Sequence, residues 1–170
     1  IIEKNVRLPA IVRGDLSAQL SAVTIGERGL QKLAIEHSRD VLFEAFGQIL
    51  DYTETVVRAE IERIPDGTYT FEDFIDDDGF GSGPIRINVS VIVRGGHLHV
   101  DFAGTSEQVR AALNATVSFT KAAVYTAFLY FTPTTEILNN DGLYRSISVE
   151  VPIGTILNPK RPAPRAARGL

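Results

Sequence analysis

The chain contains no cysteine, no methionine and no tryptophan in 170 residues. The lack of cysteine excludes disulfides and thiolate metal sites. Histidine is scarce, with only His37, His97 and His99. No serine sits in a Gly-x-Ser-x-Gly elbow, so a Ser-His-Asp nucleophile cannot be read from the sequence. No apolar run approaches a membrane span, and the N-terminus lacks a signal-peptide pattern. Basic residues are not in excess: 17 Lys and Arg face 21 Asp and Glu, spread along the chain, for a net charge of -4. That balance argues against a nucleic-acid surface or a basic membrane anchor. With no export signal, the cytoplasm is the default expectation.

What is present suffices for a core. Apolar residues make up 44% of the chain, close to ordinary globular usage, over a length that suits one domain. The start at Ile1 and the close on Arg165-Ala166-Ala167-Arg168-Gly169-Leu170 read as mid-sequence. The expectation is a single domain, 1–170, or the central piece of a larger subunit, with a helical part over about 13–64 and a sheet-rich part over about 66–170.

Pro9 bars a regular helix through residues 1–12. From Asp15, a plausible N-cap, Leu16, Leu20, Val23, Leu30 and Leu33 recur at helical spacing. Gly26 and Gly29 each weaken this helix by roughly 1 kcal/mol relative to Ala. Ser38 can cap a second helix through Val41, Leu42, Phe46, Ile49 and Leu50. Asp51 or Thr53 with Glu54 can restart a third, and Pro65-Asp66-Gly67 ends the helical stretch.

Strands follow. Tyr69 and Phe71 alternate with polar residues. Ile85, Ile87, Val89, Val91 and Val93 alternate with Arg86, Asn88, Ser90 and Arg94. Gly95-Gly96 permits a tight hairpin turn. The return strand puts Leu98, Val100 and Phe102 on one face and His97, His99 and Asp101 on the other. A helix over Val117–Phe131 comes next, with Val117, Val124, Phe128 and Phe131 as candidate core, and Pro133 ends it. Ile147, Val149 and Val151 mark a last strand, and the proline-rich tail is irregular. The class is α+β: N-terminal helices followed by an antiparallel sheet with a central hairpin and one further helix.

Several groups invite a chemical reading. His97, His99 and Asp101 are ligand types suited to zinc or iron. They also occupy a face that must be polar if the hairpin is half exposed. Asp76-Asp77-Asp78-Gly79 could hold a cation, but its carboxylates are consecutive and Phe74 stands where a calcium loop needs its first ligand. A solvated turn is the simpler reading. Gly79-Phe80-Gly81-Ser82-Gly83 looks like a phosphate loop, yet it leads into a strand, and a phosphate loop leads into a helix N-terminus. Arg13-Gly14-Asp15 spells an adhesion tripeptide, of a kind that arises by chance. Tyr52, Tyr69, Tyr125, Tyr130 and Tyr144 lack a sequence-adjacent base, so packing is their expected use. Arg161, Arg165 and Arg168 could bind a carboxylate or phosphate, or dock against another part of the protein. These readings assign no catalytic, cofactor-binding or metal residue.

Four blocks carry more information together: Gly14–Leu30 (GDLSAQLSAVTIGERGL), Asp66–Gly79 (DGTYTFEDFIDDDG), Val100–Ala115 (VDFAGTSEQVRAALNA) and Leu157–Gly169 (LNPKRPAPRAARG). In this order and spacing the chain resembles the hydantoinase B/oxoprolinase family, which includes N-methylhydantoinase, 5-oxoprolinase, caprolactamase and the acetone and acetophenone carboxylases. Gly169 departs from the pattern, which has Asn there. The resemblance implies part of an ATP-dependent hydrolase of cyclic amides of the hydantoin or 5-oxoproline type. The alternatives it leaves are part of an ATP-dependent ketone carboxylase, or a non-catalytic scaffold and assembly module. It implies that ATP with Mg is bound by an A-type partner, subunit or fused domain, and that a divalent metal is held by His and Asp residues upstream of this stretch. The piece alone is then expected to be inactive. A family role for Asp76-Asp77-Asp78 stays open. Self-association is expected too, through Val6, Leu8, Ile11 and Val12, through Ile156 and Leu157, or through a helix over Asp15–Glu36.

Overall fold

The structure, a computed structural model, describes residues 1–165. After a short 3-10 turn at Ile2–Lys4, helix α1 runs over Pro9–His37 and α2 over Arg39–Ile61. Strands β1 (Gly67–Ile75), β2 (Ile85–Arg94) and β3 (His97–Asp101) follow. Then come α3 (Val117–Phe131), the short α4 (Asp141–Arg145) and β4 (Ile147–Glu150). The chain separates into two compact units, residues 1–48 and 49–170, and the division falls inside α2. Among the described residues, no helix is long and apolar enough to cross a membrane.

The helical stretch differs from expectation in its boundaries. Pro9 does not bar the helix; it begins it, at the first helical position. There its missing N–H is no loss and its fixed φ suits the helix. Asp15 therefore lies inside α1 and caps nothing. Gly26 and Gly29 are absorbed without a break, and α2 continues through Asp51, Thr53 and Glu54 where a restart was expected. Position 38 is the real break: Ser38 has φ 65° and ψ 157°, a region that L-residues rarely occupy. Its carbonyl accepts from Leu42 N at 3.3 Å. In the first unit, α1 buries none of its residues; Leu20 is 71% and Val23 70% exposed.

In the second unit the sheet order is β1-β2-β3-β4. The hairpin forms as the alternation dictates, with Val93 opposite Leu98 and Val91 opposite Val100. Gly95 and Gly96 take φ 53° and 74°, the values a two-residue turn needs. The α+β class holds, with one difference: β4 lies parallel to β3, Leu98 opposite Ile147 and Val100 opposite Val149. Some 45 residues, including α3 and α4, separate the two strands, enough chain to return in the same direction.

One core joins the end of α2 (Val57, Ile61), the inner face of the sheet (Val93, Leu98, Val100, Ile147), Phe128 of α3 and Leu143 of α4. Val117 and Val124 pack at its margin, but Phe131 is 89% exposed and not part of it. Ile156, expected as contact surface, is buried, and Leu157 is half-buried against the core. The expected termination of α3 holds. Thr116 caps its start, accepting from Phe119 N at 3.2 Å, and the helix closes at Thr132 before Pro133.

Candidate functional site

The outer face of β2, β3 and β4 gathers the polar groups. His97 lies against Arg58, whose guanidinium donates to Nε2 at 2.6 Å. A guanidinium can only donate, so Nε2 is the acceptor in this pairing. His99 Nδ1 lies 2.8 Å from Ser148 Oγ, and its Nε2 lies 3.9 Å from Glu150. Parallel pairing of β4 with β3 makes that meeting, since it sets Ser148 directly beside His99. Asp101 does not join the histidines: its Oδ1 accepts from Ala103 N at 2.8 Å and shapes the turn after β3. Among the described residues, no group of three or more His, Asp or Glu is arranged to hold a metal ion.

A shallow cleft of about 310 Å³ opens here, lined by Arg94, His97, His99, Arg145, Ser146 and Ser148, among others. Arg145 reaches Asp51 at 2.7 Å and Glu54 at 3.2 Å, and Arg58 reaches Glu54 at 3.8 Å. The hydrogen bonds that Arg145 donates to Asp51 and Glu54 hold its guanidinium above its ordinary pKa. Arg145 of the cleft is thus partly neutralised by carboxylates of α2. Ser148 and Glu150 are exposed on an open strand, so the Ser148–His99–Glu150 grouping lacks the enclosed setting in which a nucleophile is activated.

The acidic turn is a built loop. Asp78 is only 6% exposed and accepts from Phe80 N at 2.9 Å, Ser82 Oγ at 2.8 Å and Ser82 N at 3.3 Å. Burial alone would raise its pKa. The three hydrogen bonds favour the carboxylate, and the balance lies below the usual value. Asp77 accepts from Gly79 N. Gly79, Gly81 and Gly83 all have positive φ, so the glycines serve the turn, and the loop runs directly toward β2.

The block Val100–Ala115 meets the described part of the last block as scaffold. Asn114, fully buried, accepts from Val109 N at 2.9 Å and donates to the carbonyls of Val109, Ala111 and Pro164 at 2.8 to 3.1 Å. Gln108 clasps the Lys160 backbone, accepting from its N–H at 2.7 Å. Thr120 donates to Leu157 O at 2.9 Å, and Asn88 to Ala103 O at 2.6 Å. Side-chain amides and hydroxyls here replace the ladder bonds that an irregular backbone cannot make. Sequence reasoning passed over Asn114 because a single Asn in a loop carries no periodic signal. It also passed over α4, although Asn140 caps it by accepting from Gly142 N at 2.8 Å and the run Asn-Asn-Asp-Gly is cap-forming.

Other expected site residues are dispersed. Arg13-Gly14-Asp15 is helical within α1. Tyr125 stacks on Tyr144 with ring centres 4.3 Å apart, and burial raises its pKa. Tyr69 donates to Pro65 O at 2.8 Å, Tyr52 lies 3.4 Å from Glu136, and Tyr130 is exposed. Arg161 is exposed, Arg165 donates weakly to Ala163 O at 3.4 Å, and Arg168 lies outside the described residues.

The blocks, their order and the fold they build define one class. The profile of the hydantoinase B/oxoprolinase family matches residues 1–169, and the chain belongs to that family. It is 33% identical over 181 residues to a putative B-type subunit of a D-/L-hydantoinase from Pseudomonas sp. (strain NS671), covering 99% of this chain and 30% of that protein. The crystal structure of ATP-dependent caprolactamase from Pseudomonas jessenii superimposes with a TM-score of 0.84 at 31% identity, over 95% of this chain and 28% of that one. A nucleotide-free acetone carboxylase structure shares the fold, with a TM-score of 0.72 at 17% identity over 82% of this chain and 20% of that one. The chain thus spans less than a third of the length of these relatives.

Proposed function

We propose that this stretch works within a B-type subunit of an ATP-dependent cyclic-amide hydrolase, together with an A-type partner, fused or separate, that binds ATP and Mg. The observation that supports this most is the match to the ATP-dependent caprolactamase over 95% of the chain at 31% identity. The chemistry is coherent. A lactam carbonyl is a poor electrophile, and phosphorylation of its oxygen creates a better leaving group. Water must then reach the activated carbon, and a divalent metal elsewhere in the enzyme would lower the pKa of that water. The residues placed here do not fit either group. The glycine loop leads toward a strand, the Asp78 oxygens are taken by the loop itself, and Arg145 is held by two carboxylates. In this reading the stretch supplies the framework, and activation and hydrolysis happen on other parts of the enzyme. Dependence on ATP gives it a cytoplasmic location.

The test is an assay of the full-length subunit with its partner on 5-oxoproline, hydantoin and caprolactam with Mg-ATP, and on acetone with bicarbonate. ATP-coupled ring opening is expected. Ketone carboxylation without ring opening, or no ATP-coupled turnover of any cyclic amide, refutes the hydrolase reading. The isolated 170-residue chain is expected to show no micromolar binding of Mg-ATP by calorimetry.

A further inference from the structure

The inner face of the sheet is covered on one side only. Val57 and Ile61 of α2 and Phe128 of α3 share one core with β3, β4 and Val93 at the end of β2. On the other side, Tyr69 and Phe71 of β1 lie opposite Val91 and Val89 of β2, on that same inner face. Tyr69 is 45% and Phe71 66% exposed. Beside them a concavity of about 550 Å³ runs between the sheet and α3, and nearly all of its lining is apolar. Its one hydroxyl, on Thr120, already donates to Leu157 O. Such a trough has no group to orient a hydantoin or lactam ring, and it is not a reaction centre.

Its dimensions point to what fits. Strands lie about 4.8 Å apart and a helix with side chains is about 10 Å across, so one helix covers two strands of a face. Four strands therefore call for two helices, and here the β1 side of the face lacks one, since Tyr69 and Phe71 stay exposed while Val89 and Val91 of β2 are only partly covered. The open flank of α3 carries Phe119, Ala123, Ala127 and Phe131, spaced four apart. Two small residues between two exposed aromatics let a neighbouring helix approach closely in the middle and pack at the ends. The opposite face of β1 is mostly polar, with Thr68, Thr70 and Glu72, and only Phe74 at its end is apolar.

We propose that an amphipathic helix of the same subunit, from polypeptide outside these 170 residues, docks beside α3 on the inner face of β1 and β2. This rests on the subunit reading above. The same fold recurs in the caprolactamase within a chain of which it forms 28%, so such polypeptide accompanies this fold in a relative.

The experiment uses the full-length subunit, with Phe131 and, separately, Phe71 replaced by photoreactive benzoylphenylalanine. Both positions are exposed here, so neither replacement removes a core contact. Irradiation and peptide mapping are expected to capture a segment of the same polypeptide beyond residues 1–170, with apolar residues three and four apart. The yield should hold over a 100-fold dilution. Capture of a second copy, shown by mixing with isotope-labelled subunit, overturns the proposal. So does capture of a different subunit, or no capture at either position. The mapping needs no turnover, so an intrachain crosslink in a subunit inactive on cyclic amides would sink the hydrolase reading alone. An active subunit without the crosslink would sink the docking alone.

Discussion

Replacing Gly142 by Ala tests the packing of α4 on α2 most directly. Gly142 is buried, and a Cβ placed there would overlap the carbonyl oxygen of Leu50 and come within 2.9 Å of Asn140 Oδ1 and Thr53 Cβ. The Leu50 oxygen belongs to the backbone of α2 and cannot rotate away. Overpacking of this kind costs roughly 1–3 kcal/mol. It also pushes on Asn140, which caps α4 through Gly142 N and donates to Thr53 Oγ1 at 3.0 Å. Losing a cap adds about 1 kcal/mol. Ala is the better helix former by about 1 kcal/mol, which offsets part of this. The net expectation is a loss of about 1–3 kcal/mol. With a urea slope of about 2 kcal/mol per molar, the midpoint should fall by roughly 0.5–1.5 M. Gly26→Ala is the control: its Cβ would meet nothing within 4 Å, so it should stabilise α1 by about 1 kcal/mol and raise helical ellipticity. A Gly142→Ala midpoint equal to or above that of the unaltered protein would refute the reasoning.

Asn114→Ala should destabilise the chain by about 3 kcal/mol, since it strands several buried backbone groups. Amide exchange should quicken around Val109, a fast-exchanging loop with unchanged global stability being the adverse result. Asp78→Asn should flatten the acid limb of the stability profile. The folded-state pKa of Asp78 is depressed, so the contribution is full above the unfolded carboxylate value and is lost as pH falls through the lower folded value. An unchanged acid limb would show that the loop does not hold the charge. His97→Ala with His99→Ala in the full-length enzyme should leave its metal content unaltered by elemental analysis, because these rings pair with Arg58 and Ser148. Loss of stoichiometric metal would restore them as ligands.

The sequence by itself determined the elements whose signal is local. Alternation on both sides of Gly95-Gly96, broken only at Ile92, determined the hairpin and its register, because slipping by one residue would turn Val91, Val93, Leu98 and Val100 to the outer face. Pro133 marked the end of α3, and four motif blocks carried the family. Caps and breaks were less legible. Pro9 can stop a helix or start one, and Ser38 breaks the chain through a backbone conformation that no side chain announces. Only the tertiary structure decided the parallel docking of β4, and with it the pairing of His99 with Ser148. The same holds for the burial of Asn114 and Gly142, whose roles depend on partners 50 and 92 residues away. The exposure of Phe131 belongs here too. Its spacing marks it as core, yet it lines the apolar concavity beside α3 that nothing in the described residues fills. Periodicity states which side of an element seeks burial; what buries it is set by the rest of the fold.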